Sequence, residues 1–229
     1  MKRVWCFIIG IGIAGWAIAG GVGAVQQKAV PSTRLSLEQR IAAYERWDRD
    51  EWQKPDEVIR VLAVREGMVV ADIGAGSGYF TRRFAQVVGE GGKVYAVDID
   101  REMLGFLEWN IRRLGIKNVE IVVGEEGDPH LPPESVDVAF LCDTTHHMAN
   151  RVEYLRRLRR ALKSGGKVAI IDYPPEASRQ GFCPHRPEEL VPREQILQEA
   201  QEAGYTLVHE FTFLLPRQYF LVFQKEGRP

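Results

Sequence analysis

Asp72-Ile73-Gly74-Ala75-Gly76-Ser77-Gly78-Tyr79-Phe80 stands where one kind of pattern changes into another. Before it, residues 68–73 form a run that is apolar except at Asp72, as in a strand covered on both faces. After it, residues 79–88 follow a helical repeat, with Phe80, Phe84 and Val87 inward and Gly89 as a C-terminal stop. Glycines at alternate positions let the backbone turn tightly and let a ligand approach without meeting a β-carbon. The helix N-terminus that follows favours a carboxylate or phosphate.

Downstream the alternation of strand and helix continues. Strands are predicted over 93–97, 119–123, 136–141 and 167–171. Between them lie a helix over 102–114, with Met103, Leu107, Ile111 and Leu114 on one face, and a basic helix over 151–162 capped by Asn150. Strands separated by such helices imply a parallel sheet with right-handed crossovers. The ending differs. After a helix near 193–203, strand-like runs over 206–215 and 218–223 are joined only by Pro216-Arg217, which permits a hairpin and no crossover helix. The expectation is an α/β fold: a doubly wound, mostly parallel seven-stranded sheet whose last strand is antiparallel.

Upstream, Ser36 and Gln39 make a capping box for a helix reaching about Trp47, and Pro55 opens a second helix closed by Glu66-Gly67. Residues 26–33 are polar and contain Pro31, as in a linker. Lys2 and Arg3 precede an uncharged stretch over 4–25 with small residues near Ala24. This reads as a secretory signal or as a membrane anchor. The expected organisation is therefore a targeting or anchoring segment at 1–25, a linker with one helix at 26–54, and the α/β domain at 55–229. An exported or membrane-anchored location follows, with the side of the membrane left open.

Net charge is −1, from 30 basic and 31 acidic residues, so no electrostatic footprint for nucleic acid is expected. Cys6, Cys142 and Cys183 make neither a disulfide framework nor a zinc spacing.

A nicotinamide dinucleotide is the obvious rival ligand for the glycine loop. Its fingerprint needs a glycine three residues after Gly76, where Tyr79 stands. Asp72 would also face an incoming pyrophosphate unfavourably, whereas it can accept hydrogen bonds from the ammonium group of an amino-acid-bearing cofactor. Asp98, at the end of the second strand, is placed to accept both hydroxyls of a ribose. Together the two acids point to a nucleoside.

The run from Asp72 to Gly78, then Asp98, Leu131-Pro132, and Leu162-Lys163-Ser164-Gly165-Gly166-Lys167 resemble the successive motifs of class I S-adenosylmethionine-dependent methyltransferases. The resemblance covers about residues 52–223 and is nearest to the C-methyltransferases of ubiquinone and menaquinone synthesis. It implies S-adenosylmethionine as cofactor. Asp72 with the backbone of Gly74, Ala75, Gly76 and Gly78 would hold its methionine part, Asp98 its ribose, Ile99 its adenine, and Glu125 or Asp128 the adenine amino group. Residues 124–131 are longer than the family's usual turn, which leaves those two acids as alternatives. The implied partner is a small-molecule or lipid-like methyl acceptor, with membrane association through 4–25.

Methyl transfer asks the protein for positioning, desolvation and, for some acceptors, a base. The expected catalytic residues are Asp143, His146 and His147, after the fourth strand. No metal is expected, because no third ligand has clear spacing. The Pro-rich connection over 173–191, with Arg179, Phe182, His185 and Arg186, has the length of a functional lid or of a disordered segment. Two other function classes compete: a nicotinamide-dependent oxidoreductase, and a protein that binds the cofactor without turnover.

Overall fold

The computed structural model describes residues 35–225, which begin one compact unit at Leu35. The expected signal or anchor over 1–25 lies outside the described residues, among which no helix is long and apolar enough to cross a membrane.

Seven strands form one sheet: β1 (Val69–Ile73), β2 (Lys93–Asp98), β3 (Val119–Val123), β4 (Val136–Cys142), β5 (Leu162–Asp172), β6 (Tyr205–Phe211) and β7 (Tyr219–Lys225). Their order is β3-β2-β1-β4-β5-β7-β6. Pairings from β3 through β5 are parallel, and β7 runs antiparallel to both β5 and β6. The chain therefore winds outward from β1 in one direction and from β4 in the other. A topological switch falls between them, where open α/β sheets bind ligands.

Alternation along each strand feeds two cores. On one face, Val70, Phe140, Ile171 and Phe220 pack under α3 (Pro55–Val61) and α4 (Tyr79–Val88), with Val58, Phe80 and Phe84 buried. α5 (Arg101–Arg113) extends this layer through Leu104 and Leu107 against Ala96. On the other face, Ile73, Leu141, Ile170 and Leu221 pack under α6 (Arg151–Ala161) and α8 (Arg193–Glu202). Ahead of this framework come α1 (Leu37–Tyr44) and α2 (Arg49–Gln53), and α7 (Pro175–Arg179) lies in the connection after β5.

Three local readings change. Val87 and Leu114 are 38% and 53% exposed, and Val88 takes the inward position at the end of α4. The α3 helix stops at Val61, short of Glu66. The β6–β7 connection is residues 212–218, not a two-residue link, because β6 gives up its pairing after Phe211. The hairpin direction is unaffected.

Candidate active site

The glycine loop is built by backbone geometry. Gly74, Gly76 and Gly78 all take left-handed φ, of 72°, 53° and 86°. At two of them a side chain would also collide: a β-carbon on Gly74 would lie 2.3 Å from Thr144 Oγ1, and one on Gly78 2.2 Å from the buried Leu107 Cδ1. The amides of Gly74 and Ala75 donate to the Val97 carbonyl at 2.8 and 3.0 Å, tying the loop to the end of β2. The Gly76 amide donates to Asp98 Oδ2 at 2.8 Å, and the Asp100 amide to Asp98 Oδ1 at 2.9 Å. Burial raises the Asp98 carboxyl above its ordinary range, against the pull of those two amides. Beside it Ile99 is 59% exposed, an apolar side chain left open at a strand end.

Asp72 sits deeper. Its carboxylate is buried and accepts the Thr81 hydroxyl at 2.6 Å. Burial pushes its pKa up to about 6, with the Thr81 hydrogen bond opposing and the Asp98 charge adding. The two candidate adenine acids are not equivalent. Asp128 accepts the His130 amide at 2.8 Å and the Arg157 guanidinium at 2.6 Å, one on each oxygen. Glu125 is largely exposed, its carboxylate 3.3 Å from His130 Nε2.

The first two helices press on the same loop, a role that sequence reasoning missed. Glu45 accepts Ser77 Oγ at 2.6 Å and takes Arg82 in a fork at 2.9 and 2.8 Å. The Tyr79 hydroxyl donates to Asp50 at 2.5 Å, and the Tyr44 ring is where a Gly76 β-carbon would touch, at 3.4 Å. The capping box at Ser36 starts α1 as expected. It gives no hint of these partners, which lie 32 and 37 residues away in sequence.

Across the switch point, Asp143 adopts φ 55° and its amide donates to the Ile171 carbonyl at 2.9 Å. Its carboxylate accepts Gln218 Nε2, whose own Oε1 accepts Gln53 Nε2 at 2.6 Å, and Arg49 lies 3.8 Å away. Burial raises the Asp143 carboxyl, Arg49 opposing and Asp172 adding. Arg49 stacks over the Tyr79 ring at 3.9 Å, so its charge is held in place from both sides. Gln53, Arg49 and Gln218 carry no motif that marks them in the sequence. Thr144 connects the two halves: its hydroxyl reaches the Cys142 carbonyl at 2.9 Å and the Ile73 carbonyl, at the start of the glycine loop, at 3.2 Å.

The His146 side chain is buried, with Nδ1 2.8 Å from Asp172. Asp172, at the end of β5, also accepts the Thr145 amide and hydroxyl at 3.0 and 2.5 Å, the His146 amide at 3.3 Å and the Tyr173 amide at 2.8 Å. Burial would raise this carboxyl, but His146 and these donors outweigh it and hold it below the usual range. Burial likewise works against a charged His146, and Asp172 reverses it, leaving that imidazole above its ordinary pKa. His147 is exposed; desolvation of its ring, then His146 and His185, push it down to about 4. The candidate catalytic residues are thus brought together, and the connection after β5 adds an imidazole that spacing did not supply.

The loop with its free apolar neighbour, the strand-end acid holding a loop amide and the deeper acid suit an adenosine joined to an amino acid. A family model described as a methyltransferase domain matches residues 64–210. The chain belongs to the class I methyltransferases, with S-adenosylmethionine as cofactor. This methyltransferase is 28% identical to a solved SAM-dependent methyltransferase from Aquifex aeolicus, with a TM-score of 0.76, covering 83% of this chain and 99% of that one. It is 32% identical over 111 residues to the ubiquinone/menaquinone biosynthesis C-methyltransferase UbiE of Escherichia coli O1:K1, a match covering 48% of this chain and 44% of the relative. The methyltransferase thus spans less than half the length of the curated relatives it matches. The fold is shared with the [4+2]-cyclase SpnF, at 15% identity and a TM-score of 0.65, covering 78% of this chain and 82% of that one.

Proposed function

We propose that this methyltransferase acts on a small, lipid-like acceptor held at the ends of β4 and β5, with Asp143 taking or orienting the acceptor's acidic proton. The observation that carries the reading is the Thr144 hydroxyl, which bonds the Ile73 carbonyl at the glycine loop while its neighbour Asp143 faces Arg49 and Gln218. The cofactor, when bound, supplies an electrophilic methyl group on a sulfonium. The protein would hold it through the Asp72 carboxylate toward the ammonium group, the close backbone approach that the Gly74–Gly78 loop allows, Asp98 toward the ribose and Ile99 toward the adenine. The amides of Gly74, Ala75, Gly76 and Gly78 already donate to Val97, Asp98 and Ala75, and shape the loop rather than bind the ligand. Of the two candidate adenine acids, Glu125 has the freer carboxylate.

An aromatic wall supports an apolar, ring-bearing acceptor. Trp52 lies 6.4 Å from Tyr173, and the Arg217 guanidinium covers both Trp52 and Phe182, at 4.5 and 5.0 Å. The UbiE relative, a C-methyltransferase of ubiquinone and menaquinone biosynthesis, supports the same class. The uncharged stretch over 4–25 supports a membrane-proximal enzyme.

The test is labelled methyl transfer to phenolic and quinol acceptors dispersed in detergent, beside water-soluble acceptors. D143N is expected to lower kcat by about 100-fold or more, the scale of general acid–base assistance, while its affinity for S-adenosylhomocysteine stays unchanged. Full turnover by D143N, or transfer to water-soluble acceptors alone, would overturn the reading.

A further inference from the structure

We propose that His146, His147 and His185 bind a divalent transition-metal ion of the zinc class, with Asp172 orienting His146. One ring nitrogen from each histidine lies within 4.8 Å of the other two. Ring centroids are 4.0 Å apart for His146 and His147, 4.5 Å for His146 and His185, and 5.6 Å for His147 and His185. A tetrahedral zinc ion with Zn–N bonds of about 2.0–2.1 Å needs nitrogens roughly 3.3 Å apart. The required closure is small, and it falls on an exposed side chain, His147, and on His185 in the connection after β5.

The second observation is independent of spacing. The His146 side chain is 1% exposed, and its Nδ1 is occupied by Asp172 at 2.8 Å. Its other nitrogen, Nε2, is buried with no hydrogen-bond partner among the described residues. A buried polar atom normally has a partner. A carboxylate on one imidazole nitrogen, leaving the other free within a group of imidazoles, is the arrangement that orients a histidine for a metal.

The charged groups around the site are paired among themselves, Glu188 and Glu189 with Arg186 at 3.2 and 2.7 Å. The histidines share a cleft of about 560 Å³ with Glu188, Glu189 and Arg151. The Arg151 charge is already matched by Glu199, through hydrogen bonds of 2.6 and 2.8 Å. Ser178 Oγ donates to the His185 carbonyl at 2.5 Å, so the backbone that presents the third imidazole is itself held. Imidazole ligands suit zinc and its neighbours in the first transition row, not magnesium or calcium. Three protein ligands leave one position of a tetrahedral ion open to the cleft, for water or an oxygen of a bound molecule. Such an ion would also fasten the 173–191 connection to the end of β4.

The test uses tag-free full-length protein, stripped with a chelator and titrated with zinc by calorimetry. Cobalt absorbance serves as a coordination probe and bound metal is counted after gel filtration. The expected result is one saturable ion per chain, a tetrahedral cobalt spectrum, and at least a 100-fold loss of affinity in both H147A and H185A. Retained S-adenosylhomocysteine binding by these variants shows that the fold survives. C183S, which removes the nearby thiol, is expected to bind zinc normally. Absence of saturable binding, indifference to H147A and H185A, or loss of the site in C183S would each overturn the proposal.

Discussion

Asp98 and Asp172 both end strands of the same parallel set, and both gather backbone amides, yet their surroundings are opposite. Asp98 accepts two amides from its own neighbourhood, remains partly exposed, and is raised by burial. Asp172 is fully buried, accepts five hydrogen bonds, and is held below its ordinary range. A carboxylate with unfilled acceptor capacity at an open edge is suited to a ligand. One saturated by its own protein is suited to fixing structure, here the turn that carries His146. Polar satisfaction, more than residue type or strand position, separates the two.

The largest effect should come from D172A. It would strand the His146 Nδ1–H, the Thr145 amide and hydroxyl and the Tyr173 amide, and breaking a buried charged network of this kind costs about 3–5 kcal/mol. Urea unfolding reads this directly, and a loss below about 1 kcal/mol would break the contrast. D98A should act on binding instead. Charged hydrogen bonds are each worth roughly 1.5–3 kcal/mol, so S-adenosylhomocysteine affinity is expected to fall about 100-fold with a smaller change in stability. Calorimetry beside urea unfolding would show the reverse pattern if Asp98 were merely structural.

Asp72 sharpens the comparison through pH. Its folded pKa of about 6 lies above the ordinary value of 3.8, so the folded protein binds this proton more tightly than the unfolded chain. The associated stability is fully present below pH 3.8 and is lost as pH rises through 6, at roughly 1.4 kcal/mol per unit. D72N should therefore gain stability relative to the parent between pH 4 and pH 7.5, by up to about 3 kcal/mol. Cofactor affinity of the parent should rise over the same interval, as the ionised carboxylate becomes available to the ammonium group. Parallel stability-versus-pH curves for D72N and the parent would refute the assignment. The smallest effect belongs to E45Q: its ion pair with Arg82 is partly solvated, which puts the loss near about 1 kcal/mol, readable as a modest drop in Tm.

Local pattern carried much of this in legible form. The bounds of α4 and β3 coincide with those expected, and the Ser36 and Asn150 caps are present. Caps, glycine turns and alternation depend on neighbours a few residues apart, so they can be read in order along the chain. Finer choices were not legible. Val87 and Val88 are both apolar at the end of a helix, and only the sheet beneath determines which turns inward.

Half of the candidate site was written in consecutive residues. The Asp72–Gly78 run and Asp98 need only one strand-turn-helix and the next strand, and the amides they require belong to the backbone. The other half exists through long-range meetings: Glu45 with Ser77, Gln53 with Gln218, and His146 with Asp172 and His185. Composition and spacing could not disclose these, because parallel crossovers bring together strand ends far apart in the chain. Which side chains share a buried polar network is settled only when the sheet has chosen its order.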